Sequence, residues 1–273
     1  ELAGRVARAV GDPAEFVRGA GDVIGGLGAN LSVALQPGVQ TPLNRPVGPH
    51  RRFAWLAFDL EEVKAVKNRL GGTVNDVVLA TVAGAVGQFL ERRGVSRQKQ
   101  GEFDFRAICP VSVRTDDERG TLGNRVASMI ASLPIAQTDP VRCMKQVSET
   151  MAGVKESKQA IGAEALTSVS EWTAPTLMTL ATRLAFSHRA SNLVVTNVPG
   201  PQVPLYLLGA PMVETYPMAP LFATQALSVA LFSYAGALFW GFNADWDVVP
   251  DLHDFVVAID DSFHALCAAA AAS

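Results

Sequence analysis

Gly71-Gly72-Thr73-Val74-Asn75-Asp76-Val77-Val78-Leu79-Ala80 is the stretch on which the reading of this chain turns. Two glycines stop one element, and a polar cap opens a long apolar helix. Thr73, with Asp76 three residues on, is a capping-box pattern: each side chain accepts from the other's backbone N–H. Asp76 therefore has a structural account. Asn75 sits between cap and box, so its amide is free to face a carbonyl or a developing oxyanion.

Working outward, Val74, Val78, Val82, Val86 and Phe89 recur at helical spacing, and Leu79, Ala83 and Leu90 widen the stripe. The pattern predicts a core helix from Val74 to Arg93, stopped at Gly94. Upstream, Phe53–Phe58 reads as a buried strand. Asp59 caps a short helix with Glu61 and Glu62 early and Lys64, Lys67 and Arg69 late, matching the macrodipole. Downstream, strands are predicted over Phe105–Val113, Val126–Pro134 and Leu193–Asn197, the last closed by Pro199-Gly200. Helices are predicted from Asp139-Pro140 and over Ala163–Phe186, with a weaker one at Pro13–Gly19. Hairpins follow over Leu205–Met218 and Ala226–Asn243, the second turning at Ala235-Gly236. A last helix runs Pro250–Cys267, and Ala268–Ala272 reads as a frayed tail. Strands and helices mix without strict alternation. The fold class is α/β in the α+β sense, a mixed β-sheet flanked by helices.

The 273 residues are 49% hydrophobic and 18% charged, with a net charge of −3. With mean hydropathy +0.21, this is a globular composition with ample core. No basic face or stacking cluster suits nucleic acid. Cys109, Cys143 and Cys267 are scattered and odd in number, which argues for a reducing, cytoplasmic setting without disulfides. The four histidines show no metal spacing, so no metal site is expected. Val77–Leu90, the longest nearly apolar run, is too short to cross a bilayer. The opening Glu1-Leu2-Ala3-Gly4 has no initiator Met, signal or transit peptide and reads as a cut end. Residues 1–50 read as a linker ending in a proline-rich stretch, Gln36 to Pro49, and 51–273 as one domain.

Polar residues cluster at predicted strand ends. Thr196-Asn197-Val198-Pro199-Gly200-Pro201 is a rigid turn in which Gly200 is expected to supply a positive φ. It is either a simple turn or a ligand-facing strand end. Ser112, Arg114 and Asn124 flank an acidic loop (Asp116, Asp117, Glu118), either as a solvated face or as site lining. Asp245 and Asp247 flank Trp246, and a turn with helix-entry acids accounts for them. No nucleophile elbow, GxGxxG or Walker pattern occurs.

Five motifs in order carry a resemblance across nearly the whole chain. They are Pro42-Leu43-Asn44-Arg45-Pro46-Val47-Gly48-Pro49-His50-Arg51-Arg52; Val74-Asn75-Asp76-Val77-Val78-Leu79-Ala80; Pro110-Val111-Ser112-Val113-Arg114; Thr196-Asn197-Val198-Pro199-Gly200-Pro201; and Ser233-Tyr234-Ala235-Gly236 with Ala244-Asp245-Trp246-Asp247. The sequence resembles bacterial wax ester synthase/diacylglycerol acyltransferases, and the actinobacterial triacylglycerol synthases most of all. The resemblance implies a chloramphenicol acetyltransferase-like fold of two related mixed-sheet domains with a tunnel between them. It implies acyl-CoA as co-substrate, no permanent cofactor, and diacylglycerol or a fatty alcohol as acceptor, at a peripheral membrane or lipid-droplet surface.

The family's catalytic histidine lies in an HHxxxDG motif, which this chain lacks. The resemblance therefore implies a C-terminal half whose partner is the HHxxxDG-bearing N-terminal half, inactive alone. Asn75 would be an auxiliary catalytic residue. With Thr196, Asn197, Gly200, Ser112, Arg114 and Asn124 it would line the tunnel, and Asp76 would fix the helix start. Two other readings stand beside this one: a non-catalytic lipid- or protein-binding module on the same fold, and an acyltransferase using another acceptor. An intact upstream HHxxxDG favours the enzyme, and a degenerate one the binder.

Overall fold

A computed structural model describes residues 39–112, 126–156, 191–222 and 224–273. The described strands are β1 (Arg51–Asp59), β2 (Arg106–Ser112), β3 (Val126–Ser132), β4 (Leu193–Pro199), β5 (Tyr206–Leu207), β6 (Ala210–Pro211), β7 (Leu227–Tyr234) and β8 (Ala237–Asp245). The helices are α1 (Leu60–Leu70), α2 (Val74–Arg92), α3 (Arg97–Gly101), α4 (Pro140–Glu156) and α5 (Leu252–Ala272). Six strands form one sheet in the order β1-β8-β7-β4-β2-β3, and β5 pairs with β6 alone. β4 runs parallel to β2 and to β7, and the remaining pairs are antiparallel. The mixed sheet flanked by helices is as the sequence predicts.

The side-chain period of two separates the sheet's faces. On β8, Leu238, Trp240, Phe242 and Ala244 belong to the buried core. Phe242 packs on Phe255 of α5, and Phe58 stacks on Phe263 with centroids 4.1 Å apart. The apolar stripe of α2 is central to this layer, with Val82, Val86, Phe89 and Leu90 fully buried. α5 is long and apolar enough by composition to cross a membrane. Its stripe Leu252, Phe255, Ile259, Phe263 and Leu266 is buried in this core, while Asp254, Asp260 and Asp261 lie on its outer side.

On the opposite face an irregular strap crosses β7 and β8. Pro217 crosses at Gly241, where a Cβ would meet the Pro217 carbonyl oxygen at 1.8 Å. Ser228 Oγ and Asn243 Nδ2 both donate to the Ala219 carbonyl, each at 2.9 Å. Tyr216 meets Phe239 edge-on. The strap begins within the predicted hairpin Leu205–Met218, of which only the two-residue strands β5 and β6 form, and runs on past it to Ala219.

Two further expectations are corrected, and one element is added. Phe53–Phe58 belongs to an edge strand, not a buried one, and leaves Trp55 exposed. α5 continues to Ala272, so the alanine tail is helical. Helix α3, too short to show a periodic stripe, was not legible. The predicted helices Pro13–Gly19 and Ala163–Phe186 lie outside the described residues.

The described part of the proline-rich stretch, 39–50, makes a hydrogen-bonded turn, with Asn44 N donating to the Thr41 carbonyl at 2.9 Å, and is pinned to the domain. Leu43 is fully buried and its carbonyl accepts from Ala226 N at 3.1 Å. Asn192 ties it to the sheet: Oδ1 accepts from Arg106 N at 2.9 Å, and Nδ2 donates to the Val39 carbonyl at 2.6 Å and to Asn44 Oδ1 at 2.8 Å. Asn44 Nδ2 donates back to the Asn192 carbonyl at 3.1 Å.

Candidate functional site

The start of α2 is the capping box the sequence predicts. Asp76 N donates to Thr73 Oγ1 at 3.2 Å, and Thr73 N donates to Asp76 Oδ2 at 2.8 Å. Gly71 and Gly72 take φ values of 82° and 92° to make the turn from α1. A Cβ on Gly72 would also crowd Asp76 Oδ2 at 2.9 Å and Met144 Cε at 3.0 Å. Asp76 is buried, and its other oxygen, Oδ1, has no partner among the described residues. Asn75 is half-buried, and its amide has no side-chain hydrogen-bond partner among the described residues.

Strand directions bring the other candidates to the same end of the domain. β2 and β4 are parallel, so Ser112 and Thr196–Pro199 finish at one end of the sheet, beside the β7–β8 turn at Ala235-Gly236. The helical layer is oriented by its ends. α5 leaves the far end of β8 and rises past Phe58, near the other end of β1. Arg93 at the end of α2 pairs with Asp251 at the start of α5, so the two helices are antiparallel. Arg69, ending α1, donates to the Ala270 carbonyl at 3.5 Å. The N-terminus of α2, with Asn75 and Asp76, therefore lies at the end where β2 and β4 finish. Arg114, Asn124 and the acidic loop lie outside the described residues, as does the side chain of Ser112.

Thr196 and Asn197 are half-buried and lack side-chain hydrogen-bond partners among the described residues, as Asn75 does. The contrast with Asn44, Asn192 and Asn243, each bonded into the fold, is informative. Gly200 corrects an expectation: it does not take a positive φ. It is required for space, since a Cβ would meet Phe232 Cζ and the Ser233 carbonyl, both at 2.4 Å. Its N–H donates to Ser233 Oγ at 3.2 Å.

Asp245 is structural. Its carboxylate accepts from Gly48 N at 2.7 Å, Val248 N at 2.9 Å and Asp247 N at 3.0 Å, with Arg51 3.8 Å away. Burial alone would raise its pKa. The three N–H donors and Arg51 outweigh burial and hold it below the ordinary carboxylate value. Burial pushes the thiols of Cys109 and Cys143 up to about 12, so neither is a nucleophile. Among the described residues no group of three or more His, Cys, Asp or Glu could hold a metal.

A cleft of about 220 Å³ between α2, α4 and α5 is lined by Ala80, Gly84, Gln88, Arg97, Thr138 and Ser262, among others. It contains none of the predicted site residues, which lie instead at the open strand-end face. Among the described residues, that face holds amide and hydroxyl groups, which can donate hydrogen bonds, and the buried carboxylate of Asp76, which the capping box engages.

Comparison with known proteins bears on this arrangement. Residues 122–267 match the WS/DGAT C-terminal domain, and residues 2–78 match the wax ester synthase/diacylglycerol acyltransferase catalytic domain. β1 comes from the second match and pairs with β8 from the first, so both matches share one sheet. A Mycobacterium tuberculosis protein named "putative diacyglycerol O-acyltransferase" is 34% identical over 239 residues, 85% of this chain and 47% of that protein. The O-acyltransferase WSD of Acinetobacter baylyi is 28% identical over 220 residues, 80% of this chain and 47% of its own length. The chain thus spans about half the length of these relatives. The solved wax ester synthase/diacylglycerol acyltransferase of Marinobacter aquaeolei superposes with TM-score 0.66 at 24% identity, over 92% of this chain and 57% of that one. The epimerization domain of tyrocidine synthetase B superposes at 0.59 with 13% identity, over 92% and 57%. These structures share the fold, the mixed sheet flanked by helices that the sequence predicts.

Proposed function

Because this chain belongs to the wax ester synthase/diacylglycerol acyltransferase family, we propose that it forms the C-terminal half of an acyl-CoA-dependent O-acyltransferase. The acceptor is diacylglycerol, with fatty alcohols as a second class. Residues 1–50 would lead in from an N-terminal half bearing HHxxxDG. The histidine there takes the proton of the acceptor hydroxyl. The oxygen attacks the thioester carbonyl, and a tetrahedral oxyanion forms. Collapse breaks the C–S bond, and the thiolate of CoA leaves and takes up the proton. Asn75 contributes an N–H donor to the oxyanion or holds the histidine loop. Thr196, Asn197, Gly200, Ser112, Arg114 and Asn124 form this half's tunnel wall, and Asp76 fixes the helix that carries Asn75. The buried thiols of Cys109 and Cys143 support a reducing, cytoplasmic setting.

The observation that carries this reading is the set of half-buried polar side chains, Asn75, Thr196 and Asn197, that lack side-chain hydrogen-bond partners among the described residues and lie at the end where β2 and β4 finish. The test is acyl transfer by the enzyme carrying both halves, with Asn75→Ala. Loss of turnover in a folded variant is expected; turnover equal to wild type would remove Asn75 from the site.

A further inference from the structure

The cleft between α2, α4 and α5 carries a hydroxyl that the fold leaves unemployed. Ser262 lines that cleft from α5 and is only 7% exposed. It interrupts the buried apolar stripe between Ile259 and Leu266. Its Oγ has no hydrogen-bond partner among the described residues. Helical hydroxyls usually bond back to the carbonyl four residues earlier. Thr81 does so to Val77, and Thr150 to Gln146, each at 2.9 Å. Ser262 makes no such bond to Ala258. A buried hydroxyl without a partner costs free energy, and alanine at this position would avoid that cost.

Helix α2 is shaped around this hydroxyl and a neighbouring cation. A Cβ on Gly84 would collide with Ser262 Oγ, and a Cβ on Gly87 would collide with Arg97 Nη1. Glycine inside a helix is less stable than alanine, so both positions give up helix stability to admit these side chains. The two glycines are three residues apart, about 4.5 Å along the helix axis, which sets Ser262 and Arg97 side by side. The guanidinium is fixed in place: Nε donates to Glu91 at 3.0 Å and Nη1 to the Ile135 carbonyl at 2.8 Å. Its Nη2 has no partner among the described residues. Arg97 is the one charged residue lining the cleft, and Glu91 lies outside that lining. The cleft is polarised along α2. Gln88 lies one turn from Gly84 toward the Arg97 end, and Ala80 lies one turn the other way, beside Leu266 of the antiparallel α5.

We propose that this cleft is a binding site for a short-chain carboxylate. The carboxylate oxygens accept from Ser262 Oγ and from the Arg97 guanidinium, and the alkyl chain lies toward Ala80, Ala265 and Leu266. Arginine donates only, and a carboxylate is the acceptor its planar fork fits best. At about 220 Å³ the cleft falls below the roughly 300–1,000 Å³ of sites for drug-sized ligands, which limits the chain to a few carbons. None of the residues assigned to acyl transfer lines this cleft, so the proposal stands apart from that reading.

The test is a ligand-observed NMR titration of the enzyme carrying both halves with sodium hexanoate at fixed ionic strength. Saturable binding is expected, with a dissociation constant on the order of 1 mM for so small a ligand. Ser262→Ala should raise that constant roughly tenfold, the effect of one hydrogen bond to a charged group. The same substitution removes an unbonded buried hydroxyl, so the melting temperature should stay level or rise, which separates lost binding from lost folding. Ala265→Phe starts from an exposed position on the rim and should fill the cleft and abolish saturation. Hexan-1-ol has the same chain without the carboxylate and should bind at least roughly tenfold more weakly. Hexanoate binding that either substitution leaves unaltered would overturn the proposal. Equal affinity for hexanoate and hexan-1-ol, or no saturation by hexanoate, would overturn it too.

Discussion

Asn75 and Asp76 are neighbours in one helical turn with opposite jobs, and alanine at each should separate them. In Asp76→Ala, Thr73 N–H loses an ionised acceptor at 2.8 Å and the box loses one of its two bonds. Loss of a cap costs about 1 kcal/mol, and a hydrogen bond to a charged group contributes about 1.5–3 kcal/mol net. Removing Asp76 also removes the unpartnered Oδ1, which offsets part of that cost. The net expectation is a loss of about 1–2 kcal/mol, a melting temperature lower by roughly 2–8 °C for a domain of this size. Asn75→Ala removes no bond and gains a few tenths of a kcal/mol of helix propensity, so its stability should stay within about 0.5 kcal/mol of wild type. Urea denaturation of both variants, with matched slopes, measures the difference directly. Equal destabilisation by the two would mean that Asn75 is structural and would refute the division of roles. So would a neutral Asp76→Ala.

Three further outcomes follow from the packing and the electrostatics. Gly241→Ala drives a methyl group into the Pro217 carbonyl, so it should cost at least ~1–3 kcal/mol and increase proteolysis of the strap over 212–222; a neutral variant would mean that the strap does not cross there. Asp104, Asp245 and Asp251 all have folded pKa values below their ordinary ones. A depressed carboxylate contributes stability above its unfolded pKa of about 3.9, and that contribution is lost as pH falls through the folded value. Stability should therefore drop below about pH 4, and Asp245→Asn should flatten that acid limb, as measured by unfolding across the pH range. Finally, with thiols near 12, Cys109 and Cys143 carry on the order of one ten-thousandth thiolate at pH 8. Iodoacetamide should leave both unlabelled in the folded protein, and mass spectrometry of the alkylated peptides checks it.

Much of the fold was legible because its elements carry local signals. Asp59, Thr73 and Asp139 each accept from the backbone at their helix starts, as their positions before apolar runs foretold. Gly71 and Gly94 end helices with positive φ. What could not be read was long-range. Nothing local distinguishes Gly200, needed for space against Phe232, from a glycine needed for φ. The strap over the outer sheet face is held by Ser228, Asn243 and the absent side chain of Gly241, three residues that look like ordinary strand positions. Asn192, which binds the proline-rich stretch to β2, is one polar residue before an apolar strand, and its partners lie 86 and 148 residues away. The candidate site was legible in part. Asn75 stood out because the capping box left it unemployed, whereas the gathering of Asn75, Thr196 and Asn197 at one end depends on sheet order. Exposure of the hairpin tip is likewise a tertiary fact, since the sequence predicts a hairpin over Leu205–Met218 without saying which of its residues are covered.

The central claim is that this half supplies donors and walls while the base lies on another. The direct measurement is thiol release from acyl-CoA in the presence of diacylglycerol, made on residues 1–273 alone and on the same chain joined to an HHxxxDG-bearing half. The chain alone should release CoA no faster than buffer, and the joined enzyme should turn over and yield triacylglycerol. Turnover by residues 1–273 alone would contradict the account, because it would require a general base among residues assigned none.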